Sequence, residues 1–81
     1  MTDAPDHHAE LDARGLLCPL PVLKTRKRLQ ALALGEILRV EADDPATLVD
    51  IPHFCSEQGH ELVASGTAGA GALLFWVRRG T

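Results

Sequence analysis

Apolar and polar residues alternate from Ala9 to Arg14, with Ala9, Leu11 and Ala13 on one side and Glu10, Asp12 and Arg14 on the other. A period of two predicts a half-buried strand, which Gly15 breaks. From Cys18-Pro19-Leu20-Pro21 onward the period changes. Val22, Thr25, Leu29 and Leu32 recur at helical spacing and form one core-facing stripe, while Lys24, Lys27 and Arg28 fall on the other faces. Proline is tolerated in a first helical turn, where its missing N–H has no intrahelical partner. Gly35 is the expected stop. Alternation returns over residues 36–42, with Leu38, Val40 and Ala42 opposite Ile37, Arg39 and Glu41.

Asp43-Asp44-Pro45 reads as a second helix start, an Asp cap followed by Pro at the first position. Leu48, Ile51, Phe54 and Cys55 then recur at helical spacing, Pro52 is expected to kink or split the helix, and Gly59 ends it. Residues 60–65 predict a third strand centred on Leu62 and Val63. Gly66, Gly69 and Gly71 make a flexible hairpin loop, and residues 72–79 a fourth strand. In that strand Leu73, Phe75 and Val77 are expected to face the helices, with Leu74, Trp76 and Arg78 on the other side.

The order β-α-β-α-β-β predicts an α+β fold: a two-layer sandwich of a four-stranded mixed sheet with two helices on one face. Residues 1–8 read as a flexible N-terminal tail and residues 9–81 as a single domain. The sheet face away from the helices, carrying Ile37 and Trp76, is expected to be partly bare. That makes it a contact surface for a partner or a second copy, or else a face with scattered apolar residues.

Composition narrows the function. An 81-residue chain buries only about 60% of its unfolded surface, so function is expected at an exposed site rather than in an enclosed cavity. A net charge of −3 argues against a general nucleic-acid-binding domain. The basic residues are nevertheless clustered, with Lys24, Arg26, Lys27 and Arg28 on the first helix. This face is either a dock for acidic partner surfaces or an ordinary solvated face. The polar start of the chain lacks the apolar core of a signal peptide, and no apolar run is long enough to span a bilayer. The expectation is a soluble protein in a reducing, cytoplasmic setting, without membrane attachment or direct nucleic-acid binding. In that setting the two cysteines, Cys18 and Cys55, are reactive or buried rather than bridged.

Cys18 lies between the first strand and the first helix. Thiolate is the reactive form of cysteine, and a helix N-terminus stabilises it with unpaired N–H groups and the positive end of the macrodipole. That placement predicts a lowered pKa, with Arg14 and Lys24 as candidates to add positive charge. The alternative is a buried structural cysteine. Cys55 lies on the apolar stripe of the second helix and reads as core filler, with a resolving thiol for Cys18 as the other possibility. His7, His8, His53 and His60 do not combine with the cysteines in a zinc-like spacing, so neither a metal nor another cofactor is expected.

The stretch Leu11-Asp12-Ala13-Arg14-Gly15-Leu16-Leu17-Cys18-Pro19-Leu20-Pro21-Val22 resembles the signature of the TusA (SirA-like) sulfur-carrier family. The resemblance continues at Gly35-Glu36, Ala42-Asp43-Asp44-Pro45-Ala46-Thr47, Asp50-Ile51-Pro52, Phe54-Cys55 and His60-Glu61-Leu62-Val63. It implies a fold like the C-terminal domain of translation initiation factor 3. It implies Cys18 as the persulfide carrier, supported by Arg14, Pro19 and Pro21, with Lys24, Lys27 and Arg28 docking partners. The partners implied are a cysteine desulfurase or rhodanese as donor and a downstream acceptor protein. The implied outlets are tRNA thiolation, molybdenum-cofactor synthesis or sulfur oxidation. Position 20 departs from the pattern, with Leu20 where many relatives carry a charged residue. A SirA-type regulatory module and a thiol redox protein are the competing functions. The expected oligomeric state is a monomer or weak homodimer.

Overall fold

The computed structural model describes residues 5–81. Its elements are β1 (Ala9–Asp12), α1 (Leu20–Gln30), β2 (Ile37–Ala42), α2 (Thr47–Gln58), β3 (Glu61–Thr67) and β4 (Leu73–Arg78), with a short 3-10 turn at Gly69–Gly71. The sheet order is β1-β2-β4-β3. β1 and β2 are parallel, and β4 is antiparallel to both of its neighbours. The two strand–helix–strand units therefore run the same way along the sheet. Right-handed crossovers then place both helices on one face, with β4 inserted between β2 and β3. The expected mixed, two-layer architecture is the one observed.

The core sits between that face and the helices. Leu11 and Ala13, Leu38, Val40 and Ala42 from β2, and Phe75 and Val77 from β4 meet Leu29, Ile51, Phe54 and Cys55. Thr25 is buried in α1, and its hydroxyl donates to Pro21 O at 2.8 Å, so no polar atom is stranded there. α1 ends at Gln30, before the expected stop at Gly35. Leu32 follows the helix but still packs against the core.

Four local expectations need correction. The second helix starts at Thr47 rather than Pro45, and Thr47 is buried while Leu48 is 56% exposed. The Thr47 hydroxyl donates to Asp44 O at 2.7 Å, which lets a polar residue take the inward position. Pro52 does not split α2, which runs from Thr47 to Gln58 as one helix with Ile51, Phe54 and Cys55 buried on either side of the proline. The open sheet face is not bare. Ile37 and Trp76 are 7% and 6% exposed and cluster with Leu74, Val63 and Ala64, and the Arg39 guanidinium lies 5.9 Å from the Trp76 ring centroid. A bulge between Leu62 and Ala64 puts two successive small apolar side chains on this face and covers it from β3. Finally, His8 continues the pairing of β1. Its N–H donates to Ile37 O at 2.8 Å, and its Nδ1 accepts from Ile37 N at 3.0 Å. Residues 1–4 of the expected tail lie outside the described residues.

Candidate functional site

β1 leads into a tight turn at Gly15, whose φ of +80° suits glycine. The loop from Gly15 to Cys18 is fastened from below by the two acids that follow β2. The Gly15 N–H donates to both carboxylate oxygens of Asp43, at 3.0 and 3.1 Å, and the Cys18 N–H donates to Asp44 Oδ2 at 2.8 Å. The other Asp44 oxygen accepts from Ala46 N at 3.0 Å. One carboxylate thus ties the start of α1 to the start of α2. Pro19 is the α1 cap residue, with Pro21 in the first turn and buried. These two prolines fix the backbone on which Cys18 stands exposed.

The electrostatics differ from the sequence expectation. Arg14 does not turn toward the sulfur. Its Nε and Nη2 donate to Asp12 at 2.9 and 3.0 Å, with Glu41 at 3.6 Å. This pairing holds the Asp12 carboxyl down to about 2 and raises Arg14 further. The first-turn donors of α1 are also largely spent or missing. Leu20 N–H goes to Leu17 O, the prolines carry none, and Cys18 N–H goes to Asp44. Asp50, on α2, lines the same groove as Cys18. The Asp50 carboxylate, partial desolvation and the charge of Asp44 push the Cys18 pKa up rather than down. The lowered pKa expected from the helix N-terminus is therefore overturned by acids brought in from the second helix.

A groove of about 340 Å³ opens beside the sulfur, lined by Cys18, Pro19, Val22, Asp50, His53, Phe54, Glu57 and Gln58. Its floor is apolar. Its α2 wall carries Asp50 and a His53–Glu57 pair at 3.3 Å. The sequence signal for this wall is the spacing of Asp50, His53 and Glu57, a polar stripe beside the apolar one, which the core-directed reading of α2 passes over. Lys24, Arg26 and Lys27 are exposed on α1. Arg28 reaches back to donate to Glu10 O at 2.6 Å, so its guanidinium also anchors α1 to β1. Cys55 is 3% exposed, and burial pushes its thiol up to about 11.

Asp44 gives a pH test of this architecture. The N–H groups of Ala46 and Cys18 hold its carboxyl below the usual range. A depressed folded pKa stabilises the fold above the unfolded value of about 3.9, and the contribution is lost as pH falls through the lower folded value. Asp44→Ala is expected to lower the urea midpoint at neutral pH. The gap to wild type should narrow as pH falls below about 4, read from paired melts. A gap independent of pH would contradict the assigned contacts.

The class defined by this geometry is a small two-layer α/β domain that presents one exposed thiol on a proline-fixed turn. Among known proteins, the family model described as sulfurtransferase TusA matches residues 9–79. Sulfur carrier protein TusA of Pseudomonas entomophila is 48% identical over 73 residues, covering 90% of each chain. The protein of the same description from Pseudomonas putida strain GB-1 is 48% identical over 80 residues, covering 98% of this chain and 96% of that one. The crystal structure of a SirA-like protein from Desulfitobacterium hafniense superposes with a TM-score of 0.80 at 21% identity, over 91% of this chain and all of that one, a likeness of fold. The chain belongs to the TusA family.

Proposed function

We propose that this protein carries sulfur as a persulfide on Cys18, receiving it from a cysteine desulfurase or rhodanese and passing it to an acceptor protein in a cytoplasmic relay. The observation that carries this reading is the contrast between the two thiols. Cys18 is exposed at the head of a fixed turn, where it can enter another protein's active site, and Cys55 is sealed in the core. Transfer is attack by a thiol sulfur on a sulfane sulfur, chemistry akin to thiol–disulfide exchange. A thiol of raised pKa is a smaller fraction thiolate at rest, but each thiolate is more nucleophilic. It is also less prone to stray oxidation, which follows thiolate character. The redox alternative needs Cys55 as a second reactive thiol, and its burial and raised pKa speak against that role. Among the described residues no helix is long and apolar enough to cross a membrane. The outlet of the relay is tRNA thiolation, molybdenum-cofactor synthesis or sulfur oxidation.

The direct test is delivery of labelled sulfur from cysteine through a cysteine desulfurase, or from thiosulfate through a rhodanese. Reductant-sensitive label on the protein is expected. Its absence with both donors would favour a regulatory module. The exposed α1 cations are assigned to docking, so Lys24→Glu/Lys27→Glu should slow loading about tenfold at low salt, within the range of electrostatic steering. Wild-type and variant rates should converge as salt rises. Equal rates at low salt would make this an ordinary solvated face.

A further inference from the structure

Four acidic or titratable side chains approach Cys18, all from the β2–α2 turn and α2: Asp44, Asp50, His53 and Glu57. Three already have partners. Both Asp44 oxygens accept backbone N–H groups, and His53 and Glu57 pair with each other. Asp50, for which no side-chain partner is seen among the described residues, lines the same groove as Cys18, and the α1 side of that groove is lined by Pro19 and Val22, which carry no charge to compete for it. An acid beside a nucleophilic thiol is a handicap if its only effect is to repel the thiolate. It is an advantage if it handles the proton.

We propose that the Asp50 carboxylate is the proton acceptor and donor for Cys18 Sγ during loading and unloading of sulfur, an assignment that rests on the carrier reading above. In loading, Sγ attacks the outer sulfur of a donor R–S–SH. The Cys18 S–S bond forms as the donor S–S bond breaks. The thiol proton passes to Asp50 and then to the departing R–S⁻. The net change is Cys18–SH plus R–S–SH giving Cys18–S–SH plus R–SH, with no oxidant or reductant required. In unloading the steps reverse. An acceptor thiol R′–SH attacks the outer sulfur, its proton passes to Asp50 and from there to the departing Cys18 Sγ, and the net change is Cys18–S–SH plus R′–SH giving Cys18–SH plus R′–S–SH. High-pKa thiolates leave slowly, so protonation on departure is what this leaving group needs. The added sulfur lies about 2 Å beyond Sγ, so Sγ remains beside Asp50 in both states.

The test compares wild type, Asp50→Asn and Asp50→Glu in two assays across pH. One is single-turnover sulfur uptake from glutathione persulfide, and the other is Cys18 alkylation by iodoacetamide. In Asp50→Asn the alkylation profile is expected to move to lower pH, so alkylation at neutral pH quickens. Sulfur uptake should slow at least tenfold, general acid–base groups contributing about 10²–10⁴-fold. Asp50→Glu should recover part of the uptake. Opposite signs in the two assays are the signature of proton handling. Both rates rising together would reduce Asp50 to a charge that suppresses thiolate, and both falling or neither changing would reduce it to a structural residue of α2. Each of those results overturns the proposal. Wild-type protein that alkylates at Cys18 but takes no sulfur would overturn the carrier reading, and the proposal with it.

Discussion

Cys18→Ala is expected to abolish sulfur delivery to an acceptor thiol, whereas Cys55→Ala retains it. The loss should be complete rather than partial because no other described thiol is exposed. Cys55, the second cysteine, is held in the core by Ile51 and Phe54 on α2 and by the sheet beneath. Truncating Cys55 removes only a small buried group, so its effect should appear in stability rather than transfer. Delivery is measured with a donor and a thiol acceptor present together, so that loading and unloading are both required. Persistent delivery by Cys18→Ala would move the chemistry elsewhere. Loss of delivery in Cys55→Ala, with the fold intact by circular dichroism, would revive the two-thiol redox reading.

Phe75→Ala is the expected structural catastrophe. Phe75 is 1% exposed on β4, the strand that bridges β2 and β3, and it belongs to the cluster joining both helices to the sheet. Truncating a buried phenylalanine costs about 3–5 kcal/mol. A chain of this length has roughly 4–12 kcal/mol in total, at ~0.05–0.15 kcal/mol per residue. The variant should therefore melt more than about 10 °C lower or be largely unfolded at room temperature. Leu48→Ala is the matched control. Helical spacing places Leu48 in the core, but the structure exposes it, so the substitution should change stability by no more than about 0.5 kcal/mol. A Leu48→Ala loss comparable to a core leucine, about 2–5 kcal/mol, would mean α2 is rotated from the orientation described. Urea melts of the two variants decide it.

These contrasts show where the pattern of residues is informative and where it is silent. Alternation in β2 and β4 identifies the inward side chains because a strand has only two faces, and Leu38, Val40, Phe75 and Val77 all fall where the alternation puts them. The stripe of α2 misleads at its first turn because Thr47 satisfies its hydroxyl locally, on Asp44 O. A residue that looks polar in sequence is then free to be buried. The covering of Ile37 and Trp76 depends on a bulge at Val63, which the sequence does not announce. At the site, Cys18 is legible from its Cys-Pro-Leu-Pro setting, but its electrostatic surroundings are not. Asp44 reaches Cys18 across 26 positions of sequence, and Asp50 joins its groove from the next helix. Arg14, the cation nearest in sequence, instead pairs with Asp12, two residues away. Short-range charge pairing removed the expected cation, and tertiary packing supplied the unexpected acids.

The central claim is that one atom, Cys18 Sγ, holds the sulfur. Intact-protein mass spectrometry after exposure to a cysteine desulfurase and cysteine, without reductant, tests it most directly, with wild type, Cys18→Ala and Cys55→Ala run side by side. Wild type and Cys55→Ala should each gain the mass of one sulfur atom and lose it on reduction, while Cys18→Ala should gain none. An adduct that persists in Cys18→Ala, or that vanishes in Cys55→Ala, would contradict the claim.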